Sequence, residues 1–265
     1  MQLRIATWNV NSVRIRLDGI AALIEQHAPD VLCLQETKVV DALFPREAFA
    51  ALGYRHGVVT GIKGYNGVAI LSRLALAHTE TPGWCGKADG RHAVAVLENG
   101  IEINNFYVPA GGDVPDPAVN DKFAHKLQFL AEMTNWFAAR KAPGNRLVLV
   151  GDLNIAPLET DVWSHKALLK VVSHTPVEVE ALERLRAAHD WVDAVRAFIP
   201  PEQHLYSWWS YRARDWDEAD RGRRLDHVWV TPALADALTA AEVQRDARGW
   251  AAPSDHVPVI ATLEV

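Results

Sequence analysis

The chain has 265 residues, 49% apolar and 23% charged, with a net charge of −6. This length can bury a large core within one domain, and the composition is that of a globular protein rather than a disordered or fibrous one. The negative balance argues against gripping nucleic acid through bulk positive charge, no apolar stretch approaches a membrane span, and the two cysteines, Cys33 and Cys85, give neither a disulfide framework nor zinc spacing. Met1-Gln2 leads straight into a strand-like segment with no secretory pattern, so a cytoplasmic location and no membrane partner are expected.

In chain order, Leu3–Thr7 predicts a first strand. Leu17 to His27 predicts an amphipathic helix with Leu17, Ile20, Ala21 and Ile24 on one face, stopped by Pro29. Val31–Gln35 predicts a second strand with Cys33 buried inside it, and Gly67–Ser72 a third, preceded by a hairpin turn at Asn66-Gly67. Ala93–Leu97 and Ile101–Val108 are two more, followed by an exposed loop from Pro109 to Pro117. Phe123, Leu127, Leu130, Met133 and Phe137 recur at helical spacing and predict a helix near Asp121 to Ala142. After a strand at Leu147–Val150, Thr175-Pro176-Val177-Glu178 reads as a capping box with proline at the first helical position. Val179, Leu182 and Leu185 of that helix face inward. A second long loop, Arg212 to Arg224, precedes strands at Val228–Val230 and Val257–Leu263. No repeat or low-complexity tract divides the chain, so one mixed α/β domain over residues 1–265 is expected.

Five polar clusters stand beside strand ends: Trp8-Asn9, Gln35-Glu36, Gly151-Asp152-Leu153-Asn154, Leu225-Asp226 and Ser254-Asp255-His256. Taken singly, each has a plain structural explanation; Asn9 or Glu36 can end a strand or cap a helix, and Ser254-Asp255-His256 can be a turn. As a set they offer four carboxylates, the amides of Asn9 and Asn154 and an imidazole on rigid supports, which makes a hard-cation site beside a proton-transfer group. The lack of a thiolate cluster favours Mg²⁺ or Mn²⁺ over Zn²⁺. Gly57, Gly61, Gly64 and Gly67 fit neither a Walker loop nor a dinucleotide fingerprint, and there is no Gly-x-Ser-x-Gly elbow.

Phosphodiester hydrolysis is the chemistry these types suit. The uncatalysed reaction is so slow that an enzyme must supply roughly 10¹⁷-fold acceleration. A cation neutralises the non-bridging oxygens, and a carboxylate orients and deprotonates the attacking water. Crowded acids raise the proton affinity of at least one of them, while a histidine beside an acid stays charged and can hydrogen-bond the phosphate.

The motifs Thr7-Trp8-Asn9-Val10-Asn11-Ser12-Val13-Arg14, Leu34-Gln35-Glu36-Thr37-Lys38, Gly67-Val68-Ala69-Ile70-Leu71-Ser72, Tyr107-Val108-Pro109, Gly151-Asp152-Leu153-Asn154-Ile155-Ala156-Pro157, Ser207-Trp208-Trp209-Ser210-Tyr211-Arg212, Arg224-Leu225-Asp226-His227 and Ser254-Asp255-His256-Val257-Pro258-Val259 run in one order across the chain. In that order they resemble the exonuclease III family of abasic-site endonucleases, within the endonuclease/exonuclease/phosphatase superfamily. The resemblance implies an α/β four-layer sandwich, two mixed sheets packed face to face with helices on both outer faces. It implies Glu36 as principal metal ligand, with Asn9 and Asp255 completing or supporting the sphere. Asp152 would activate the water or assist the leaving oxygen, and Asn154 would orient water or phosphate. His256, polarised by Asp226, would bind the scissile phosphate, and Tyr107 would donate to the phosphate or leaving group. Trp209 would line the pocket for the base-less sugar, and Arg91 and Lys126 match basic positions that contact DNA phosphates.

Asn11, counted with the DNA contacts, replaces an aspartate found in another branch of the family. Ala110 stands where many relatives have asparagine or glutamine. The expected activity is Mg²⁺-dependent cleavage 5′ to abasic sites in duplex DNA with 3′-5′ exonuclease and 3′-end trimming, by a monomer, with Mn²⁺ able to substitute. The rival readings are a phosphohydrolase of the same fold acting on a lipid head group or inositol phosphate, and a catalytically silent DNA-binding module.

Overall fold

The computed structural model describes residues Met1 to Val265. Its strands are β1 (Gln2–Asn9), β2 (Val31–Gln35), β3 (His56–Ile62), β4 (Tyr65–Ser72), β5 (Leu76–Glu80), β6 (His92–Leu97), β7 (Glu102–Tyr107), β8 (Leu147–Asp152), β9 (Val192–Asp193), β10 (Trp208–Trp209), β11 (Gly222–Arg223), β12 (Asp226–Val230), β13 (Leu238–Val243) and β14 (Val259–Glu264). The helices that matter most are α1 (Leu17–His27), α2 (Arg46–Ala51), α3 (Asp121–Arg140), α4 (His165–Leu168) and α5 (Pro176–Ala188). None of the helices is long and apolar enough to cross a membrane.

Two six-stranded sheets form, in the orders β13-β14-β1-β2-β4-β3 and β5-β6-β7-β8-β12-β9. Each contains one parallel pair, β1 with β2 and β7 with β8, flanked by antiparallel neighbours. Successive side chains on a strand point to opposite faces. Leu3 and Ile5 of β1 therefore enter the core between the sheets, where Cys33, Ile70, Ile103, Val148, Val150 and Val228 also lie. Ala6 and Trp8 face outward and pack with Ile20, Leu23 and Ile24 of α1. On the far side, Phe106, Leu149 and Trp229 meet Phe129, Leu130, Met133 and Phe137 of α3 and Leu182 and Leu185 of α5. Strands buried on both faces need cover on both, so helix, sheet, sheet and helix stack into the expected four layers.

The strand ends are what position the site. Asp152 of β8 lies in register with Tyr107 of β7 on one side and Asp226 of β12 on the other. Asn9 of β1 pairs with Gln35 of β2 in the facing sheet. A polar link joins the sheets beside these ends. Gln35 Nε2 donates to Asn105 Oδ1 at 2.6 Å, and Asn105 Nδ2 donates to the carbonyls of Leu34 and Ala69 at 3.0 and 2.9 Å. All four groups are buried, so sliding the sheets would strand their polar atoms.

Some local expectations change. The hairpin joining β3 to β4 turns at residues 63–64, whereas Asn66 and Gly67, the predicted turn, lie inside β4 with positive φ. Edge strands β3, β5 and β13 carry exposed or half-buried residues and gave no apolar run to detect. The loop Arg212–Arg224 contains a short helix, Trp216–Ala219, and strand β11, which pairs with Trp208-Trp209. The capping box at Thr175 is present, and α3 ends at Arg140.

Gly151 immediately precedes Asp152 with φ +136°, and a Cβ there would lie 2.0 Å from the Phe106 carbonyl oxygen of the adjacent strand. Gly151→Ala must push β7 from β8, at an expected cost of about 3 kcal/mol. Urea denaturation checks this; an unchanged midpoint would contradict the close approach.

Candidate active site

Asn9 ends β1 and points its amide at both sheets' acids. Its Nδ2 donates to Glu36 Oε1 at 3.0 Å and to Asp152 Oδ2 at 2.9 Å, while its Oδ1 accepts from the Asn11 N–H at 3.1 Å. Tyr107 donates its hydroxyl to the same Glu36 Oε1 at 2.8 Å, and Lys38 Nζ lies 2.8 Å from Glu36 Oε2. Glu36, Lys38 and Asn154 all have positive φ, +51°, +54° and +55°. Such backbone costs about 1–2 kcal/mol per residue and is kept where the surroundings impose it, commonly at functional sites.

Across the cleft, His256 donates from Nδ1 to Asp226 Oδ2 at 2.8 Å, and its Nε2 faces Asp152 Oδ2 at 3.7 Å. Ser207 fixes the Asp226 carboxylate, donating Oγ–H to Oδ2 at 2.7 Å. Ser254 Oγ donates to the Asn9 carbonyl at 2.7 Å and Trp8 Nε1 to the His256 carbonyl at 2.9 Å, tying the last cluster to the first. Asp255 accepts from Asn11 Nδ2 at 3.1 Å and from Trp208 Nε1 at 3.0 Å. Asn11 Oδ1 in turn meets Lys38 Nζ, so Asp255 reaches Glu36 through an amide and an ammonium.

The protonation balance follows from this packing. Burial alone would push the His256 imidazole down, but Asp226 and Asp152 beside it raise it to about 10. Burial pushes the Asp152 carboxyl up; His256 pulls it back and Asp226 pushes again, leaving it near 7. Burial would also raise Glu36, yet the Asn9 amide and the Lys38 ammonium hold it below the usual carboxylate range. The Tyr107 hydroxyl is raised well above its ordinary value by burial and by Glu36. The site therefore pairs a fixed imidazolium with a carboxyl that exchanges its proton near neutrality, the equipment of proton transfer at pH 7.

The donor set also fits a divalent cation. The carboxylates supply it: Glu36 Oε1 and Asp152 Oδ2 converge on the one Asn9 amide at 3.0 and 2.9 Å, and Asp226 Oδ1 is buried without a partner, while the His256 imidazolium stands beside them as a charge and not as a ligand. Glu36 keeps its side chain 19% exposed at the mouth of the site. Oxygen donors without a thiolate suit a hard cation; Cys33 is buried in the intersheet core.

Three expected DNA contacts sit elsewhere than on an open surface. Lys126 is 0% exposed, its ammonium 2.5 Å from Glu178 Oε1 and 2.8 Å from the Asn154 carbonyl, so it cannot reach a phosphate. Arg91 is 5% exposed and spends its guanidinium on Asp89 at 2.6 Å, the Tyr107 carbonyl at 3.1 Å and Asn66 Oδ1 at 3.2 Å. It lies 4.9 Å over the Tyr107 ring and so holds that tyrosine in place. Trp209 is 2% exposed, donates to Asp220 Oδ1 at 2.9 Å and packs edge-on to Trp216. Its neighbour Trp208, on the opposite face of β10, is the one that borders Asp255 and bridges to His256. Asn154 is almost buried, with Nδ2 donating to the Val108 carbonyl at 3.0 Å and its N–H to Asp152 Oδ1 at 2.9 Å. Lys38, two positions past Glu36 in the Leu34–Lys38 motif, and Ser207, which opens the Ser207–Arg212 motif, also belong to the site, though their sequence context gave neither a role.

Comparison with known proteins agrees with this geometry. The model of the Endonuclease/Exonuclease/phosphatase family matches residues 6–256. Exodeoxyribonuclease III of Haemophilus influenzae is 31% identical over 275 residues, covering 99% of this chain and 100% of that protein. A solved AP endonuclease from Archaeoglobus fulgidus superposes with a TM-score of 0.91 at 32% identity, over 99% of this chain and 100% of that one. A 3′ phosphatase from Neisseria bound to product DNA hairpin gives the same TM-score, 0.91, at 32% identity and the same coverage, 99% and 100%. The chain belongs to the endonuclease/exonuclease/phosphatase family, in its exodeoxyribonuclease III-like branch. It is a phosphodiester-hydrolysing nuclease.

The His256–Asp226 contact has a measurable pH signature. The imidazole rises from an ordinary value near 6.5 to about 10 on folding, so its contribution to stability is full below about pH 6.5 and is lost as pH climbs through 10. An NMR titration of the His256 ring is expected to stay protonated past pH 8 in the wild type. In Asp226→Asn the midpoint should fall by about 2 units or more; equal midpoints would contradict the pairing.

Proposed function

We propose that this DNA-repair nuclease uses Mg²⁺, with Mn²⁺ able to substitute, to cut the backbone of duplex DNA 5′ to abasic sites and to trim blocked or free 3′ ends, acting as a monomer in the cytoplasm. The observation that carries the reading is the placing of Asp152, buried with its Oδ2 2.9 Å from the Asn9 amide and 3.7 Å from His256 Nε2, beside Glu36 and Asp226 at the meeting of the two sheets.

Each residue has a chemical task in that reaction. The His256 imidazolium, held by Asp226, binds a non-bridging oxygen and offsets its growing negative charge. Asp152 accepts the proton of the attacking water or hands one to the leaving oxygen; both directions are open to a carboxyl near 7. Asn154, pinned by Val108 and Asp152, orients the water or the phosphate. Tyr107, whose hydroxyl stays protonated at neutral pH, donates to the phosphate or the leaving group. Glu36 would hold the cation, with Asn9 setting its carboxylate and Asp255 supporting the shell through Asn11 and Lys38. When bound, the cation supplies charge neutralisation of the phosphate. Asn11 and Trp208 lie beside the carboxylates and would meet the DNA strand at the site's rim.

The similar proteins, an exodeoxyribonuclease III, an AP endonuclease and a DNA-bound 3′ phosphatase, favour this substrate over a lipid head group or inositol phosphate. One labelled duplex with a single abasic site and Mg²⁺ tests the proposal. Incision leaving a 3′-hydroxyl is expected, with inositol phosphates untouched; the reverse preference would sink it. On the same duplex Asp152→Asn and His256→Ala should each lose about 10²–10⁴-fold in kcat while remaining folded by circular dichroism. Near-normal turnover in either would reject the assigned roles.

A further inference from the structure

The cationic side chain at the centre of the second sheet's helical layer does no work at the surface. Lys126 extends from α3 into a space lined by three loops and is fully buried. Its Nζ lies 2.8 Å from the Asn154 carbonyl, 3.2 Å from the Ala110 carbonyl and 2.5 Å from Glu178 Oε1. Three ammonium protons thus have three acceptors. Glu178 is equally committed. Its two oxygens each accept from the Ser173 N–H at 3.0 Å, and Oε2 accepts from the Thr175 N–H at 3.2 Å and hydroxyl at 2.6 Å. The cap of α5 and the loop after β8 therefore share one ion pair.

A buried ion pair is weak evidence for stability, because desolvating both charges offsets their attraction and apolar replacements often serve as well. What this pair does that an apolar pair could not is hold carbonyls. Asn154 has the left-handed backbone that turns its carbonyl inward to Lys126. The same turn aims the Asn154 N–H at Asp152 Oδ1 and its side chain at Val108. The loop 110–112 lies directly on the lysine stem: Gly111 has φ +94°, and a Cβ there would stand 3.0 Å from Lys126 Cδ and 3.2 Å from Val172. Beyond it, Ala156 N–H donates to the Ser173 carbonyl, closing the ring of loops.

From this we infer that the buried Lys126–Glu178 pair is the positioning device of the nuclease, fixing the Asp152–Asn154 turn in its reactive shape through the Asn154 carbonyl. Lys126 touches neither phosphate nor water in this role and is a positioning residue. The kinetic arm of the test rests on the proposed abasic-site activity; the exchange arm does not.

The paired variant Lys126→Met/Glu178→Gln removes both charges and leaves no lone buried ion. Hydrogen exchange read by mass spectrometry over residues 152–156 should rise about tenfold or more, with residues 147–150 as in the wild type. On the abasic duplex kcat should fall about 10- to 100-fold with KM within about threefold, since a small misplacement of reacting groups costs that much. A DNA-contact role gives the opposite split, raised KM with a shallower salt dependence and unchanged exchange, and would overturn the inference. If the double variant does not fold, Glu178→Gln alone keeps the shape and one acceptor oxygen but leaves the buried Lys126 ammonium without its counter-ion, and should raise exchange over 152–156 and lower kcat by at least the factors expected of the double variant, about tenfold each. Exchange and kcat both matching the wild type in the folded variant would also overturn it. Failure of the wild type to cut the abasic duplex would defeat the proposed activity, while exchange at 152–156 would still decide the role of Lys126.

Discussion

One amide holds the site together. Asn9 stands at the end of a strand in one sheet and donates both amide hydrogens to carboxylates, Glu36 in its own sheet and Asp152 in the other. Two acids at such a distance repel each other, and the amide between them offsets part of that repulsion without adding charge. The contact exists only because the two sheets meet face to face with their strand ends level, and that level is set by the buried Gln35–Asn105 link a few ångströms deeper. The intersheet core supplies the cohesion, but aliphatic packing alone is tolerant of sliding; buried hydrogen bonds are not.

The distribution of buried charge explains why the site is both stable and reactive. His256 is ringed by carboxylates and keeps its proton, so it is a fixed positive charge in a water-poor cleft, where electrostatic interactions are stronger than in bulk solvent. Asp152 receives the opposite treatment, buried and crowded, so that its proton is easily exchanged near neutrality. The environment gives neighbouring titratable groups separate roles. Away from the cleft, buried Asp161 and Arg224 and half-buried Asp193 and Arg196 form a second network behind β12: Arg224 meets both Asp193 oxygens at 2.7 Å and Arg196 meets Asp161 at 2.5 Å. It anchors the residues immediately before Asp226 and so stiffens the acid that holds His256.

The rim of the site is built from aromatic rings and guanidinium groups that mostly serve each other. Arg245 lies 4.7 Å from the Trp216 ring, Arg223 lies 5.3 Å over Trp208, and Arg248 lies 4.9 Å over Tyr211. These contacts turn a long polar segment into an ordered wall with little apolar core of its own.

Much of this was legible in the residues. Apolar runs located the central strands because those strands are buried on both faces, and helical spacing located α1 and α3 because one face of each meets a sheet. The polar clusters marked Asn9, Glu36, Asp152, Asp226 and His256 only as a set, since each alone can end a strand, cap a helix or form a turn. The edge strands stayed hidden, because an exposed strand has no apolar pattern to show. The fates of Lys126, Arg91 and the Trp208-Trp209 pair were decided by tertiary structure alone. A lysine reads as a surface charge until Glu178, 52 residues away, is folded against it. Which of two adjacent tryptophans faces the cleft depends on how β10 meets β11 and His256. Sequence determines which chemistry is available and which segments must be buried; the distance between groups far apart in the chain, and hence their charge and their partners, exists only after the sheets have closed on each other.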